Sequence, residues 1–384
     1  MKMLLPGTGF GSIPPCLYWP HTVTSDWKLA KDTPNSLGVC QKTGIIANAR
    51  GIRGRTAEFF SGNYELHTES DDCEEVYITD LGVEAQSSQT LEMLKASIAT
   101  DAGRILEIGA AKGNFIKRFL TEFKGWEASA IEPSKHAAAS LARQLPQVDL
   151  HTGTLDTYAK TGQLFDVIVS NFVIAHLEDP FSFIETIGRL SKPGGLVLIG
   201  SPNFRNNPLD QFTTDHLSRF TPLSLKAIFA HYGFEELKIW ADNRVPMWGL
   251  YRYTGIQKAW PLNELITEAY GLFAAHTRYA AQLFEAAQWI VDKADGKPIA
   301  VYGLSTAALI VGCYTGFSSE YIGAFFDDNH FLHGSKRAGK EILPLDRLKS
   351  DGYQHLFISA NPVYVERMKA KAQAVAPDCI ISHP

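Results

Sequence analysis

The chain has 384 residues, 45% of them hydrophobic and 20% charged, with a formal net charge of −5. Such a composition builds ordinary globular cores in two or three domains, and with no long basic run it argues against nucleic acid as a partner. The opening MKMLLPGTGFG has no apolar stretch long enough for a signal peptide and no run reaches membrane-spanning length, so a cytoplasmic protein with no membrane partner is expected.

Residues 1–82 are rich in Gly, Pro and polar residues, and their periodicity is weak. Five scattered cysteines, Cys16, Cys40, Cys73, Cys313 and Cys379, suit reduced thiols. Cys16 and Cys40 invite a zinc reading, but a ribbon needs C-x2-C twice. The partner positions hold Trp19 and Thr43, which leaves only His21 or Cys73 as stand-in ligands. No metal is expected. Phe59, Phe60 and Tyr64 form an aromatic cluster ahead of an acidic one; it either covers a ligand pocket or, more simply, packs in the core.

From 83 to 250 the pattern is strand and helix in alternation. Residues 89–100 place Leu91, Leu94 and Ile98 at helical spacing. Ile105, Leu106 and Ile108 then read as a buried parallel strand that ends in Gly109, Ala110, Ala111, Lys112 and Gly113, and Phe115, Ile116 and Phe119 open a helix. Glycines in such a turn let a ligand approach the backbone, and the helix start offers free N–H groups. Glu107 lies inside the apolar strand end, where its charge needs a partner. Glu132 follows a second strand, Trp126–Ile131, about 20 residues past the turn, where a carboxylate can accept both hydroxyls of a ribose.

Ser134 caps a helix through KHAAASLARQL, and a short strand near Val148–Leu150 leads to the loop GTLDTY. Asp156 there can take the exocyclic amine of an adenine or stand in solvent. Phe165–Phe172 reads as a buried strand whose C-terminal end brings Asn171, Phe172 and His176 to the ligand edge of the sheet. His176 fits a structural role at a helix start more readily than a general base. LSKPGGLVLIGSPN supplies a helix end, a turn and another strand. In DQFTTDHLSRFTPLSL, Asp215 and His216 are adjacent; the imidazole serves as a base or merely caps and packs. Thr221-Pro222 starts a helix that ends before Gly233.

Residues 251–296 contain a helical bridge, NELITEAYGLFAAHTRYAAQLFEAAQWIVDK. From 297 to 384, IAVYG, YIGAFF, LFISA and Cys379–Ser382 read as strands and ALIVGCYTG and VYVERMKAKAQ as helices, a small βαβ domain. YGLSTA lacks G-x-G-x-x-G, so NAD is not expected. Asp327 and Asp328 could hold a sugar or stand solvated at a strand end.

The turn E-x-G-x-x-x-G at Glu107, Gly109 and Gly113 differs from a dinucleotide fingerprint. Together with AIEPS, FDVIVSNFVIAHLEDP and LSKPGGLVLIGSPN, in this order, it resembles the class I S-adenosylmethionine-dependent methyltransferases. The resemblance implies an α/β, Rossmann-like core, an enzyme, and S-adenosyl-L-methionine as cofactor. It places Glu107, Gly109 and Gly113 around the methionine moiety and Glu132 at the ribose hydroxyls, and Ile108, Ala110, Pro133, Leu155, Asp156, Asn171 and Phe172 are the further cofactor-binding candidates.

The whole chain resembles the sugar C-methyltransferases, which act on nucleotide-linked keto-sugars and combine a zinc-binding N-terminal lobe, a methyltransferase core and a second Rossmann-like C-terminal lobe. VYGLSTAA, FFDDNHFLHG and EILPLDRL are similar to that C-terminal lobe, and NYELHTES and TTDHLSRFTPLSL to segments flanking the core. The N-terminal lobe departs from the family at Trp19 and Thr43. The Tyr-His-Glu-His stretch that helps enolise the substrate reads Thr213-Thr214-Asp215-His216 here. The resemblance implies a sugar or nucleotide-sugar substrate with His216, assisted by Asp215, as base, and it keeps His176 as a further catalytic candidate. An O- or N-methyltransferase on another metabolite is the second reading, with the C-terminal lobe for binding or for a homodimer. A non-catalytic scaffold is the third, and the intact Glu107, Gly109, Gly113 and Glu132 argue against it.

Overall fold

The computed structural model describes residues 15–30, 32–64, 71–79 and 82–384. Most of NYELHTES, from Glu65 to Ser70, lies outside the described residues. Near the start, β1 (Pro15–Trp19), β2 (Asn35–Val39) and β3 (Ile46–Asn48) form an antiparallel sheet. Its fourth strand, Ser218–Arg219, comes from far along the chain, so this lobe is closed by the segment that carries His216. Cys40 is buried in the same apolar cluster as Leu106 and Ile184. Trp19 packs against Phe212, Phe284 and Tyr314, and the Thr43 carbonyl accepts a hydrogen bond from Trp260 Nε1 at 2.9 Å. Among the described residues no group of three or more His, Cys, Asp or Glu could hold a metal ion.

The central domain opens with α1 (Gln86–Lys95), then β4 (Ala102–Ile108), α2 (Asn114–Glu122), β5 (Gly125–Ile131), α3 (Lys135–Gln144), β6 (Asp149–His151), β7 (Phe165–Asn171), α4 (Pro180–Leu190), β8 (Ser191–Pro202), α5 (Pro222–His231), β9 (Phe234–Trp240) and β10 (Pro246–Tyr253). These strands form one sheet in the order β6-β5-β4-β7-β8-β10-β9. The first five are parallel, and β10 runs antiparallel to both neighbours. Ile105 and Leu106 enter apolar clusters on opposite faces, which is why β4 reads as an unbroken apolar run. The order reverses at β4 and β7, so their C-terminal ends frame a crevice where such sheets hold ligands. This is the α/β, Rossmann-like class I core that the sequence led us to expect. Ser134 caps α3 as expected, accepting from Ala137 N at 3.4 Å.

Helix α6 (Leu262–Ala294) is 33 residues long, about 50 Å at 1.5 Å per residue. Ala269 and Phe273 pack into the core of the N-terminal sheet, while Tyr279, Leu283, Ala287 and Ile290 pack under the C-terminal sheet. That last sheet contains β11 (Ile299–Tyr302), β12 (Ile322–Phe326), β13 (Lys340–Leu343), β14 (His355–Ile358) and β15 (Ile380–Ser382), all parallel in the order β13-β12-β11-β14-β15, with the short Lys336–Arg337 antiparallel at its edge. Its central strands β11, β12 and β14 are likewise buried on both faces. Among the described residues no helix is long and apolar enough to cross a membrane.

Candidate active site

The glycine turn after β4 takes the shape its residues permit. Gly109 and Gly113 have positive φ, +76° and +85°, and Ala111 joins them at 47°. A Cβ on Gly109 would run into Val173 Cγ2. Gly109 N and Ala110 N both donate to Ile131 O, at 2.8 and 3.1 Å, which pins the turn to the end of β5. Glu132 completes it: Oε2 accepts from Ala111 N at 2.8 Å and Oε1 from Ser134 N at 2.7 Å. Each oxygen keeps a second lone pair for a ligand hydroxyl. Burial raises the pKa of Glu132, and those two backbone bonds pull against it.

Glu107 is 4% exposed, and its Oε2 finds no hydrogen-bond partner among the described residues. Burial, then the charge of Glu132, holds its pKa well above the usual carboxylate range. A buried carboxylate with an unused oxygen beside a glycine cradle fits a cationic or hydroxyl-bearing ligand. The amino group and ribose of S-adenosylmethionine meet both requirements, so the residues present fit that cofactor. Ile108 and Ala110 are buried in the walls, Pro133 stands between Glu132 and the α3 cap, and Leu155 is buried while Asp156 is exposed. Across the crevice, Asn171 Oδ1 accepts from Trp248 Nε1 at 3.0 Å. Phe172 takes a positive φ of 60° and packs near Tyr77 and Trp248.

The loop after β7 connects this crevice to a second cluster. Val173 lies against Gly109, and three residues on, His176 faces Phe60 and His216 with ring centroids 4.8 Å away in both cases. Leu217 N donates to Ala175 O at 2.7 Å and ties the His216 loop alongside. The structure brings His176, Asp215 and His216 together but pairs them differently from the sequence expectation. The carboxylate bonded to His216 Nδ1 is Asp210, six residues earlier, not the adjacent Asp215. Neighbours in an extended loop point apart, and the helical turn Pro208–Phe212 carries Asp210 back to the imidazole. Asp215 instead accepts from Ser25 N at 2.8 Å and from Ser25 Oγ, and its Oδ2 lies 3.5 Å from His176 Nδ1.

His176 Nδ1 is 3.0 Å from the Asp215 carbonyl, which can only accept, so Nδ1 carries the proton and Nε2 the lone pair. Burial and the neighbouring His216 depress its pKa to about 4. His216 behaves oppositely: burial disfavours its charge, but Asp210 outweighs burial and the pKa rises. For Asp210, burial works against ionisation while His216 and Arg219 favour it more strongly, and its pKa falls. The Tyr64 hydroxyl stands 3.5 Å from Ser25 Oγ, and burial and Asp215 keep it protonated. The aromatic cluster of Phe59, Phe60 and Tyr64 thus lies over His176. Glu178 staples this cover, accepting from Gly54 N at 2.7 Å and from Thr56 Oγ1.

Asp210, Ser25 and Arg219 escaped the sequence reading. No spacing rule links Asp210 to His216, and Ser25 reaches the site across 190 residues of chain. Asp327 and Asp328 stand apart from this cluster: Asp327 accepts from Leu304 N and Asn329 N, and Asp328 pairs with Lys371 at 2.8 Å.

Residues 85–239 match the family model described as "Methyltransferase domain". An uncharacterized methyltransferase of Staphylococcus carnosus is 33% identical over 122 residues, 31% of this chain and 57% of that protein. A ubiquinone biosynthesis O-methyltransferase of Parvibaculum lavamentivorans is 35% identical over 69 residues, 18% of this chain and 27% of that protein. The chain thus spans only part of the length of these curated relatives. Among solved structures, an amino pentose methyltransferase of Micromonospora echinaspora with S-adenosylmethionine bound aligns with 44% of this chain and 90% of its own, at 16% identity and a TM-score of 0.36. The seven-stranded central domain of this chain is a class I methyltransferase domain, of the kind that uses S-adenosylmethionine.

Proposed function

We propose that the protein methylates a small polar acceptor, a sugar or nucleotide-linked sugar, at a carbon made acidic by a neighbouring carbonyl. The observation that carries this reading is the pair of imidazole–carboxylate units, Asp210–His216 and Asp215–His176, one short loop away from the glycine turn. When bound, S-adenosylmethionine supplies an electrophilic methyl group. Glu107, the turn from Gly109 to Gly113, and Glu132 hold and orient it.

The rest of the chemistry is a proton to remove. His216 Nδ1 is engaged by Asp210, which leaves Nε2 to take the proton from the acceptor carbon. The Asp210 charge stabilises the imidazolium that forms. His176 stays neutral near pH 7, and its Nε2 accepts a hydrogen bond from an acceptor hydroxyl. The aromatic cover over His176 keeps water away from the carbanion. The amino pentose methyltransferase among the structural neighbours fits a sugar acceptor, but at that distance the site carries the reading.

Relatives named O-methyltransferases favour a second reading, transfer to an oxygen of another metabolite. Incubation with methyl-13C cofactor and a panel of nucleotide sugars and phenols, with the methyl position read by NMR, separates the two. A carbon-bound methyl on a keto-sugar is expected, and an oxygen-bound methyl would support the second reading. His216→Ala should lower turnover by about 10²–10⁴-fold while cofactor affinity stays nearly intact. Undiminished turnover would remove His216 as base.

A further inference from the structure

Arg219 is a fully buried arginine, with no exposure of its side chain, in the two-residue strand that closes the N-terminal sheet. Its guanidinium lies inside the loop that carries His216. Nη1 donates to His216 O at 2.7 Å; Nη2 donates to Thr213 O at 2.7 Å and to Asp210 O at 3.0 Å. Nε stands 3.5 Å from Asp210 Oδ2. One side chain therefore ties both ends of the loop and also faces the carboxylate that holds His216. A planar fork of fixed donors can do this, and a lysine cannot.

Asp210 is thus shared between two cationic groups. The other titratable groups facing His216 are Asp215 on the same loop and His176 on the loop after β7; Tyr64 of the N-terminal lobe stands against His176, and His276 on α6 faces Asp210 and Arg219. His276, also near Asp210 and Arg219, is held neutral by burial, with a pKa of about 4. Arg219 is therefore the cation that competes with protonated His216 for Asp210.

We infer that Arg219 is a positioning residue for the base: it fixes the loop that sets Asp210 against His216 and, by sharing the Asp210 charge, stops His216 from holding its proton too tightly to turn over. The inference deepens the proposed function and rests on His216 being the base.

The test needs no acceptor and no cofactor. Protein labelled with 13C at histidine is titrated by NMR, and the His216 signal is identified by its loss in His216→Gln. In Arg219→Gln the midpoint of His216 should rise by about one unit, a tenfold gain in proton affinity. In Asp210→Asn it should fall below wild type. In the double variant Asp210→Asn/Arg219→Gln it should still lie above Asp210→Asn alone, but by less than about one unit, because only the direct repulsion between Arg219 and the imidazolium is left to remove. Removing both members of the buried pair leaves no uncompensated charge, so that comparison remains if Arg219→Gln alone does not fold. Unchanged midpoints on removing Arg219 in either background would overturn the inference. Failure of the base reading looks different: His216→Ala would keep its methyl transfer while the midpoints still moved.

Discussion

His176 and His216 lie with ring centroids 4.8 Å apart, yet their surroundings push their proton affinities in opposite directions. His216 has a bonded carboxylate, Asp210. His176 spends its Nδ1 proton on a backbone carbonyl and is crowded by Phe60 and its neighbour imidazole. Two like groups in contact thus divide into one proton holder and one neutral acceptor, a division that acid–base chemistry uses.

That division should be visible in stability against pH. The folded pKa of His176, about 4, lies below its unfolded value of about 6.5, so the unfolded chain binds the proton more tightly and stability falls as pH drops from about 6.5 to 4. His176→Gln should relieve up to about 3 kcal/mol of that loss at pH 4. His216 has a raised folded pKa, so its contribution is complete below about pH 6.5 and disappears as pH rises through the folded value. His216→Gln should therefore cost more stability at pH 6 than at pH 9. Thermal melts across pH check both, and parallel curves for wild type and variants would contradict the assignment.

Glu107 should trade stability for binding. Its raised folded pKa means that stability is lost as pH rises past about 4.3 towards the folded value. Glu107→Gln removes the buried ionisable carboxyl and keeps the shape. A gain of about 1 kcal/mol at neutral pH, about 2–4 °C in Tm, is expected. Cofactor affinity should fall at least about tenfold. A variant that melts lower than wild type and binds as well would refute this role.

Gly109 and Val173 should behave as a coupled pair. Gly109→Ala sets a Cβ against Val173 Cγ2 and strains a φ of +76°, so cofactor binding should be lost. Val173→Ala in the same chain removes the clash but not the strain, and binding should return in part. Equal affinities of the single and double variants in calorimetry would show that the two residues do not couple.

Much of the central domain was legible because its signals are local. The Ile105–Ile108 run, the glycine turn, the Ser134 cap and the Thr221-Pro222 helix start all follow from neighbouring residues. Strands β9 and β10 went unread: β10 is buried from Pro246 to Tyr251 and lacks alternation, and β9 is an edge strand with six of its seven positions exposed or half-buried. In the C-terminal domain β13 was read only as part of EILPLDRL, not as a strand. The histidine–aspartate cluster was half legible. His176, Asp215 and His216 stand out by residue type, whereas their pairing depends on a helical turn at Asp210, a serine in the N-terminal lobe and a buried arginine, none of which leaves a spacing in the sequence.

The central claim is that the crevice between β4, β5 and β7 holds S-adenosylmethionine, with Glu132 at its ribose. Calorimetric titration of the cofactor into wild type and Glu132→Ala tests it most directly. Micromolar binding to wild type is expected, abolished in a variant that still folds. A wild-type protein that binds no cofactor, or a Glu132→Ala protein that binds it as tightly as wild type, would contradict the account.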